Sequence, residues 1–376
     1  GAVAWNRALE FQARCRIKDC SIDGNIYVHG LLDISIEDSV LSSADSSTTD
    51  HQVLLIGDTV TGARGFARIT KTALHQSSKK ETVGVGDTEG VGRYHFTDCS
   101  FTFSANGGGK GVFHLVDPPG DIVWVECVLF ENCLFSQNSA LESCFVDQNV
   151  GISDLDGVTP TLAQIELFQF KNCRFSHSFD NTTLYGMRFV QTSAYQSKFQ
   201  LTNCIYETNN QCGVQNVDEG AVIWSSASET VIEGCTFDVY EELFPALTPT
   251  TNYLTVVYSG KILVQNSVLR FHTGGAGVVM ATHGFYVNGD SEFSNVSCVG
   301  DTNPAHSPLT AMLEFYGAHR SKVVGCSLLG TSSSPGIYTG CNETEVTNTK
   351  VAGFGYGVSL NTGGVAERVG IHGCRL

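Results

Sequence analysis

The sequence is poor in charge, since Asp, Glu, Lys and Arg make up only 16% of its 376 residues. An average soluble domain has about a quarter. The charge is also unbalanced, because 38 acidic residues face 22 basic ones and give a formal net charge of −16. A chain of this charge repels phosphates, so we expect neither nucleic acid nor an anionic membrane surface as a partner.

Long apolar runs are missing as well. No segment approaches the ~18 consecutive apolar residues that span a bilayer, so we expect no membrane insertion. No basic stretch followed by an apolar one marks a signal peptide. The 40 glycines have no three-residue period, which excludes collagen. With 42% hydrophobic residues the chain can bury a core, which excludes wholesale disorder.

A six-residue block recurs along the chain. The copy Phe130-Glu131-Asn132-Cys133-Leu134-Phe135 shows its form. We count 13 copies, and the intervals between them run from 19 to 40 residues. Their third residues stand at positions 19, 38, 71, 98, 132, 172, 203, 234, 266, 295, 325, 348 and 373. A constant block at a variable interval predicts the coils of one solenoid, joined by loops of different length.

Each position of the block has a physical meaning. The first and sixth residues are apolar in all 13 copies, and the third is Asn, Asp or Gly in every copy except at Lys71. Because those three residue types tolerate left-handed backbone angles, the block predicts a strand, a one-residue bend and a second strand. Asn side chains at successive bends can exchange hydrogen bonds along the axis.

The fourth position is a column of small residues that we expect to point inward. It holds Ser, Thr or Val in five copies and Cys in the other eight: Cys20, Cys99, Cys133, Cys173, Cys204, Cys235, Cys326 and Cys374. Free Cys packs as a small hydrophobe, so this column explains most of the 14 cysteines without disulfides. No Cys-x-x-Cys spacing occurs, and we expect no metal site and no cofactor.

Another strand lies between the blocks in most coils. Its copies include residues 114–117, 144–147, 188–191, 222–225, 256–259, 285–288, 314–317 and 336–339. The second residue of each copy is large and apolar, so we expect it to point inward. Strand side chains alternate between faces, so the first and third residues of each copy should point outward.

These patterns predict an all-β fold, a right-handed single-stranded parallel β-helix of about 13 coils over residues 17–376. Residues 1–16 would form an N-terminal cap segment, with a short capping helix over residues 2–13 that places Trp5, Ala8 and Leu9 on one face. The final block ends on Leu376 in mid-pattern. We therefore expect either that the chain is a fragment or that a partner covers this end.

The repeated apolar-x-Asn-Cys-x-Phe block resembles the coils of the pectate-lyase-like β-helix superfamily, and within it most resembles the β-helix body of bacteriophage tailspikes. This resemblance implies a homotrimer in the virion tail, assembled in the host cytoplasm, that binds a bacterial surface polysaccharide and often cleaves it. A secreted polysaccharide lyase or hydrolase of the same fold is an alternative, and a structural or adhesive β-helix is another. Of the polygalacturonase motifs only Arg16-Ile17-Lys18 is present, without its acids.

The outward positions of the inter-block strand are the candidate binding residues. Its third position holds aromatic residues whose faces can stack on sugar rings: Trp224, Tyr258, Tyr316 and Tyr338. Its first position adds His114 and Arg188. Alternatively, a loop or a neighbouring subunit covers these aromatic residues.

Three acids are candidate catalytic residues. Asp117 and Asp147 end this strand in consecutive copies, and side chains on adjacent coils lie ~5 Å apart, near the spacing of a retaining glycosidase pair. The alternative for Asp117 is a turn-forming role before Pro118-Pro119. Glu314 is a single acid among aromatic residues, which favours a general acid.

Overall fold

The computed structural model describes the chain in 18 stretches: residues 7–43, 52–57, 64–77, 82–86, 91–103, 111–116, 124–137, 146–150, 164–177, 185–191, 197–208, 219–242, 251–258, 260–274, 281–300, 309–317, 319–360 and 368–376. Within these stretches the regular structure is strand, and none of it is α-helix. In particular, this part of the chain holds no helix long and apolar enough to cross a membrane.

Thirty-four strands, numbered in chain order, make up the described chain. The first seventeen are β1 (Arg7–Lys18), β2 (Ser21–Asp23), β3 (Asn25–Glu37), β4 (Val40–Ser42), β5 (Leu54–Gly57), β6 (Arg64–Thr70), β7 (Ala73–Gln76), β8 (Val83–Gly86), β9 (Val91–Thr97), β10 (Ser100–Phe103), β11 (Phe113–Val116), β12 (Trp124–Glu131), β13 (Leu134–Gln137), β14 (Val146–Val150), β15 (Gln164–Lys171), β16 (Arg174–His177) and β17 (Tyr185–Gln191). The others are β18 (Lys198–Thr202), β19 (Ile205–Thr208), β20 (Glu219–Ser225), β21 (Glu229–Glu233), β22 (Thr236–Glu242), β23 (Thr251–Tyr258), β24 (Lys261–Gln265), β25 (Val268–Gly274), β26 (Ala281–Asn288), β27 (Ser291–Ser294), β28 (Ser297–Val299), β29 (Leu309–Phe315), β30 (Arg320–Val324), β31 (Ser327–Thr339), β32 (Glu343–Thr347), β33 (Lys350–Leu360) and β34 (Arg368–His372).

The chain divides into two compact units, residues 1–177 with 188–198, and residues 178–187 with 199–376. In the first unit the strands before the bends pair in the order β1-β3-β6-β9-β12-β15, which we call the pre-bend sheet. The strands after the bends pair as β2-β4-β7-β10-β13-β16. A third sheet pairs the first half of β3 with β5, β8 and β11 in turn. Every one of these pairings is parallel, so the first unit is a parallel β-helix.

The second unit repeats the arrangement. Its pre-bend strands pair as β21-β24-β27-β30-β32-β34, and its post-bend strands as β19-β22-β25-β28-β31-β33. Its third sheet pairs β20-β23-β26-β29-β31-β33, where β31 and β33 are long enough to serve two sheets. The predicted parallel β-helix is therefore confirmed.

The bends lie where the block predicts them. All 13 third residues have a positive φ, between 47° and 63°, and Lys71 is among them at 47°. Six of the bends fall in the first unit and seven in the second. A single left-handed residue turns the chain while the apolar residues on either side stay inward. At Gly234 an added Cβ would lie 2.3 Å from Oδ1 of Asn203, so a side chain there would displace the Asn203 amide.

The bend side chains form the predicted hydrogen-bond ladder. In the first unit Asn132 Nδ2 donates to Asp98 Oδ1 at 3.1 Å, and Asn172 Nδ2 donates to Asn132 Oδ1 at 3.1 Å. In the second unit Asn295 Nδ2 donates to Asn266 Oδ1 at 3.3 Å. Each of these bonds joins a bend to the one before it.

The fourth column of the block points inward, as expected. Eleven of its 13 residues are buried, whereas Cys20 at the first bend is exposed and Cys374 at the last is partly exposed. The buried thiols donate to the carbonyl two residues earlier, as Cys133 Sγ does to Glu131 O at 3.3 Å. Ser267 Oγ makes the equivalent bond to Gln265 O at 2.7 Å, so Cys and Ser are interchangeable in this role. The twelve cysteines in the described stretches are free thiols.

Phenylalanine rings stack along the interior of the first unit. One stack joins the first positions of three blocks, with centroid distances of 4.6 and 4.9 Å: Phe96, Phe130 and Phe170. A second joins their sixth positions, at 4.9 and 4.7 Å: Phe101, Phe135 and Phe175. Identical residues at one block position meet because the blocks are in register.

The capping helix predicted over residues 2–13 is wrong where the structure describes it. Residues 7–13 belong to strand β1, which runs on to Lys18 and pairs in parallel with β3. The rest of the predicted helix, residues 2–6, lies outside the described residues. Pairing with the exposed edge of β3 satisfies the backbone of this segment, and that gain outweighs its helical apolar spacing.

Candidate functional site

The third sheet of the second unit carries the aromatic residues of interest on its outer side. Its register places Trp224 opposite Val256, Val256 opposite Tyr286, Tyr286 opposite Glu314, and Glu314 opposite Tyr338. Residues opposite one another on parallel strands lie ~5 Å apart. Trp224, Tyr286, Glu314 and Tyr338 therefore lie in one outward row, and the backbone of Val256 occupies the remaining position.

This register corrects the alignment expected from the sequence. Trp224 and Tyr338 do share a row, but Tyr258 lies opposite Asn288, two residues further along its strand. Tyr316 is likewise two residues beyond Glu314. A slip of two residues keeps a side chain on its face, so Tyr316 still belongs to the outer side.

The sequence pattern assigns Tyr286 to the wrong face of its strand. The sequence pattern put it inward, whereas the structure buries Phe285 and Val287 on either side of it and leaves Tyr286 half-buried on the outer side. The mismatch is a slip of one residue, which reverses every side chain of a strand. The alternation of Phe285 and Val287 was the signal that could have identified Tyr286.

Three tyrosines and one acid meet on this outer side, and we call them the tyrosine face: Tyr286, Tyr316, Tyr338 and Glu314. The ring centroids of Tyr286 and Tyr316 are 5.1 Å apart, and those of Tyr316 and Tyr338 are 5.9 Å apart. All three tyrosine side chains are half-buried. The face is therefore a continuous aromatic surface that is partly exposed.

Glu314 is held within this surface. It is 6% exposed, and its Oε1 accepts a 2.5 Å hydrogen bond from the hydroxyl of Tyr316. Burial, and then this bond and the charge of Glu314, raise the pKa of Tyr316 well above its usual range. The phenol of Tyr316 therefore stays protonated near neutral pH and remains a donor to Glu314.

A glycine turn ends the strand just after Tyr316. The backbone N–H of Tyr316 donates to Val287 O at 2.9 Å, so the tyrosine continues the sheet pairing past the end of β29. Gly317 then has a φ of 85°, and an added Cβ would lie 2.6 Å from Oδ1 of Asn288. A side chain there would strain the backbone of the turn and displace the Asn288 amide.

Of the remaining predicted site residues, the structure describes the side chains of Trp224, which lies in the same outward row, and His114. His114 lies half-buried in β11 of the first unit, opposite Gly84. Asp117 is outside the described residues, and for Asp147, Arg188 and Tyr258 the structure describes the strand and not the side chain. The proposed spacing of the two aspartates stays a prediction.

The face can bind through stacking and hydrogen bonding. Among the described side chains, no group of three or more His, Cys, Asp or Glu residues is placed to hold a metal ion. No family model, curated protein or solved structure matches this chain. Its function must therefore be argued from the geometry.

Proposed function

We propose that the protein is the β-helix body of a bacteriophage tailspike of the pectate-lyase-like superfamily. We propose further that it binds a bacterial surface polysaccharide through the tyrosine face. The observation that supports the proposal most is the contact of Tyr286, Tyr316 and Tyr338 around Glu314 on the outer side of a rigid sheet. A solvated sheet is stable without three half-buried aromatic rings on its outer side, so we attribute these rings to ligand binding.

The physical basis is the match between this surface and a sugar chain. The apolar faces of sugar rings pack on aromatic rings, and tyrosines lose little side-chain entropy when they are buried. The carboxylate of Glu314 accepts hydrogen bonds from sugar hydroxyls, and bonds to charged groups are the strong ones. The tyrosines are preorganised by the strands that carry them, so little ordering is needed on binding.

A panel of purified capsule and O-antigen polysaccharides tests the binding. We expect one of them to bind, and the variant Tyr338→Ala to weaken its binding by about tenfold or more, since one stacked aromatic contributes roughly 1–3 kcal/mol. The matched control is Tyr356→Ala, because Tyr356 is 65% exposed and outside the tyrosine face. Equal loss in both variants, or binding that survives Tyr338→Ala, would contradict the proposal.

Cleavage of the glycan is a second candidate function, favoured by the position of Glu314 within the tyrosine face. A sugar bound to the face would lie close to this carboxyl group, but a glycosidase also needs a second carboxyl group. Binding is therefore better supported than cleavage. New reducing ends alone would indicate a hydrolase, and new ultraviolet absorbance from an unsaturated uronate would indicate a lyase.

The variant Glu314→Gln tests the role of Glu314 in any such cleavage. We expect it to abolish product formation while binding persists, whereas Glu345→Gln, at an exposed acid on β32, leaves product formation unchanged. Full activity of Glu314→Gln would remove Glu314 as a catalytic residue. Asp147→Asn tests the aspartate pair in the same assay.

The assembly and its setting are part of the proposal. A tailspike would be a homotrimer in a virion tail, assembled in the host cytoplasm, and it would resist dissociation by SDS. A monomer in solution that cleaves polysaccharide would favour a secreted lyase or hydrolase. A protein that neither binds nor cleaves any polysaccharide of the panel would favour a structural or adhesive β-helix.

A further inference from the structure

The first unit has a cleft of its own, on the outer side of its pre-bend sheet. The cleft has a volume of about 440 Å³ and lies over strands β1, β3 and β6. Its lining combines three basic residues, two acids, one aromatic ring and a serine: Arg16, Lys18, Arg68, Asp33, Glu37, Phe66 and Ser35. It shares no residue with the tyrosine face.

Two arginines flank the serine at the floor of the cleft. In the sheet register Arg16 on β1 lies opposite Ser35 on β3, and Ser35 lies opposite Arg68 on β6. The two arginine Cα atoms are therefore about 10 Å apart, with the serine between them. Both arginines are exposed, so their guanidinium groups can reach a group that sits above Ser35.

Each acid of the cleft pairs with one of the cleft's own basic residues. Arg16 pairs with Asp33 at 3.6 Å, and Lys18 pairs with Glu37 at 3.3 Å. Arg68 takes part in none of the ion pairs that the described residues form, and its guanidinium carbon lies 5.2 Å from the centre of the Phe66 ring. Its positive charge is therefore open to a ligand at the floor of the cleft.

The charge of Arg68 acts on the next strand of the sheet. His95 on β9 lies opposite Arg68, and the pKa of His95 is lowered by burial first and then by the charges of Arg68 and Arg93. Arg93 is itself paired with Glu126, through a 2.8 Å bond from Nε. A basic cleft stands out on a chain whose formal net charge is −16.

We propose that this cleft binds a single oxyanion, a carboxylate or phosphate group on a sugar, between Arg16 and Arg68. Both guanidinium groups would donate to the oxyanion, and the Ser35 hydroxyl would donate from below. Arginine's planar fork matches carboxylate and phosphate in just this way. The Phe66 ring beside Arg68 offers an apolar surface to the body of the sugar.

The acids limit the cleft to one anionic group. Asp33 and Glu37 lie two residues before and after Ser35 on the same strand, so their side chains share its face. A ligand with anionic groups spaced along the strand would meet these carboxylates and be repelled. The cleft therefore suits a uronate or a sugar phosphate better than a nucleic acid.

Titration of the full chain at low ionic strength tests this site with three probes. We expect glucuronate or inorganic phosphate to bind with a dissociation constant on the order of 1 mM, and glucose, the neutral control, to bind far more weakly. Binding should weaken as salt is added, because the site is exposed. Binding of glucuronate but not of phosphate would identify a carboxylate site. Binding of both anions would identify a general oxyanion site.

Matched variants locate the binding. Arg68→Met and Arg16→Met should each weaken it by about tenfold, the loss of roughly one charge-assisted hydrogen bond. The control Arg320→Met removes an exposed arginine of the second unit that pairs with Glu343 at 3.3 Å, and it should change nothing. Failure of both anions to bind, or unchanged binding in Arg68→Met, would overturn the proposal. Neither result would affect the tyrosine face, which is tested with Tyr338→Ala.

Discussion

The hydroxyl of Tyr316 donates a 2.5 Å hydrogen bond to Oε1 of Glu314, two residues earlier in the chain. In a regular strand these positions share a face, and the acid there lies between Tyr286 and Tyr338 of the neighbouring strands. The bond therefore fixes the acid and the central ring of the tyrosine face relative to each other. Removal of either partner should be detectable at the other.

Glu314→Gln should lower the pKa of Tyr316. The pKa is raised by burial and by the bond to and charge of Glu314, so loss of the charge removes part of the cause and leaves burial. We expect one tyrosine of the variant to ionise at a lower pH than in the parent, as followed by phenolate absorbance. The double variant with Tyr316→Phe should lack that transition, and its persistence would assign it to another tyrosine.

Asn172→Ala should destabilise the first unit by about 2 kcal/mol, as measured by urea unfolding. The residue has a φ of 53°, which costs a residue with a Cβ roughly 1–2 kcal/mol, and its amide donates to Asn132. Asn172→Gly is the control, since glycine accepts the backbone angle and loses only the ladder bond. We expect the stability to fall in the order parent, Asn172→Gly, Asn172→Ala. Equal losses in the two variants would mean that the left-handed angle at this bend does not cause the destabilisation.

Cys173→Ser should be nearly neutral, and Cys173→Leu should not. Cys173 is 1% exposed and donates to Lys171 O at 3.4 Å, the bond that serine makes elsewhere in the same column. We expect a loss of about 1 kcal/mol or less for serine and about 1–3 kcal/mol for leucine, which overpacks the interior. Thermal unfolding separates the two, and equal stability of both variants would contradict an interior column selected for small size.

Alkylation of the native protein should label Cys20 well before Cys15. Cys20 is exposed, whereas burial raises the pKa of the Cys15 thiol to about 12, so Cys15 holds almost no reactive thiolate near neutral pH. Peptide mass spectrometry after a brief iodoacetamide pulse measures the order. Cys20→Ser should remove the early label, and labelling of both thiols at one rate would contradict the burial of Cys15.

His95 should make the protein less stable in acid. Its pKa is lowered in the folded state, by burial and by Arg68 and Arg93, from about 6.5 in the unfolded chain. Below about pH 6.5 the unfolded chain binds the proton more readily, so this stability is present above that pH and is lost as the pH falls towards the folded pKa.

The measurement compares urea unfolding of the parent and of His95→Gln at about pH 7.5 and about pH 5. The difference in stability between the two pH values should be smaller in the variant. In a second comparison Arg68→Met should raise the pKa of His95, as followed by its NMR titration, since it removes a charge that lowers the pKa. An unchanged titration would mean that Arg68 does not act on the ring.

The bends show how much of the fold is local. All 13 positions predicted from the block have the left-handed angle, even Lys71, whose residue type does not favour it. The alternation on either side of each bend then determines which residues point inward. Both signals lie within six consecutive residues, so no knowledge of the neighbouring coils was needed.

The N-terminal segment and Tyr286 show where local signals fail. Residues 7–13 have helical apolar spacing, yet they form part of β1 because the edge of β3 is available to pair with them. Tyr286 is large enough to fill an inward position, and its pairing with Glu314 on the next strand shows that Phe285 and Val287 point inward instead. Both errors concern pairing between distant segments, which propensity does not specify.

The sequence by itself determined the parallel β-helix, its bends, its asparagine ladder and its small interior column, because each of these follows from a short repeated pattern. It also named Glu314, Tyr316 and Tyr338. Only the tertiary structure decided that these three meet with Tyr286, and that Arg16 and Arg68 flank Ser35. The physical reason is register: outward residues become neighbours only when the coils stack, and the intervals between blocks vary from 19 to 40 residues.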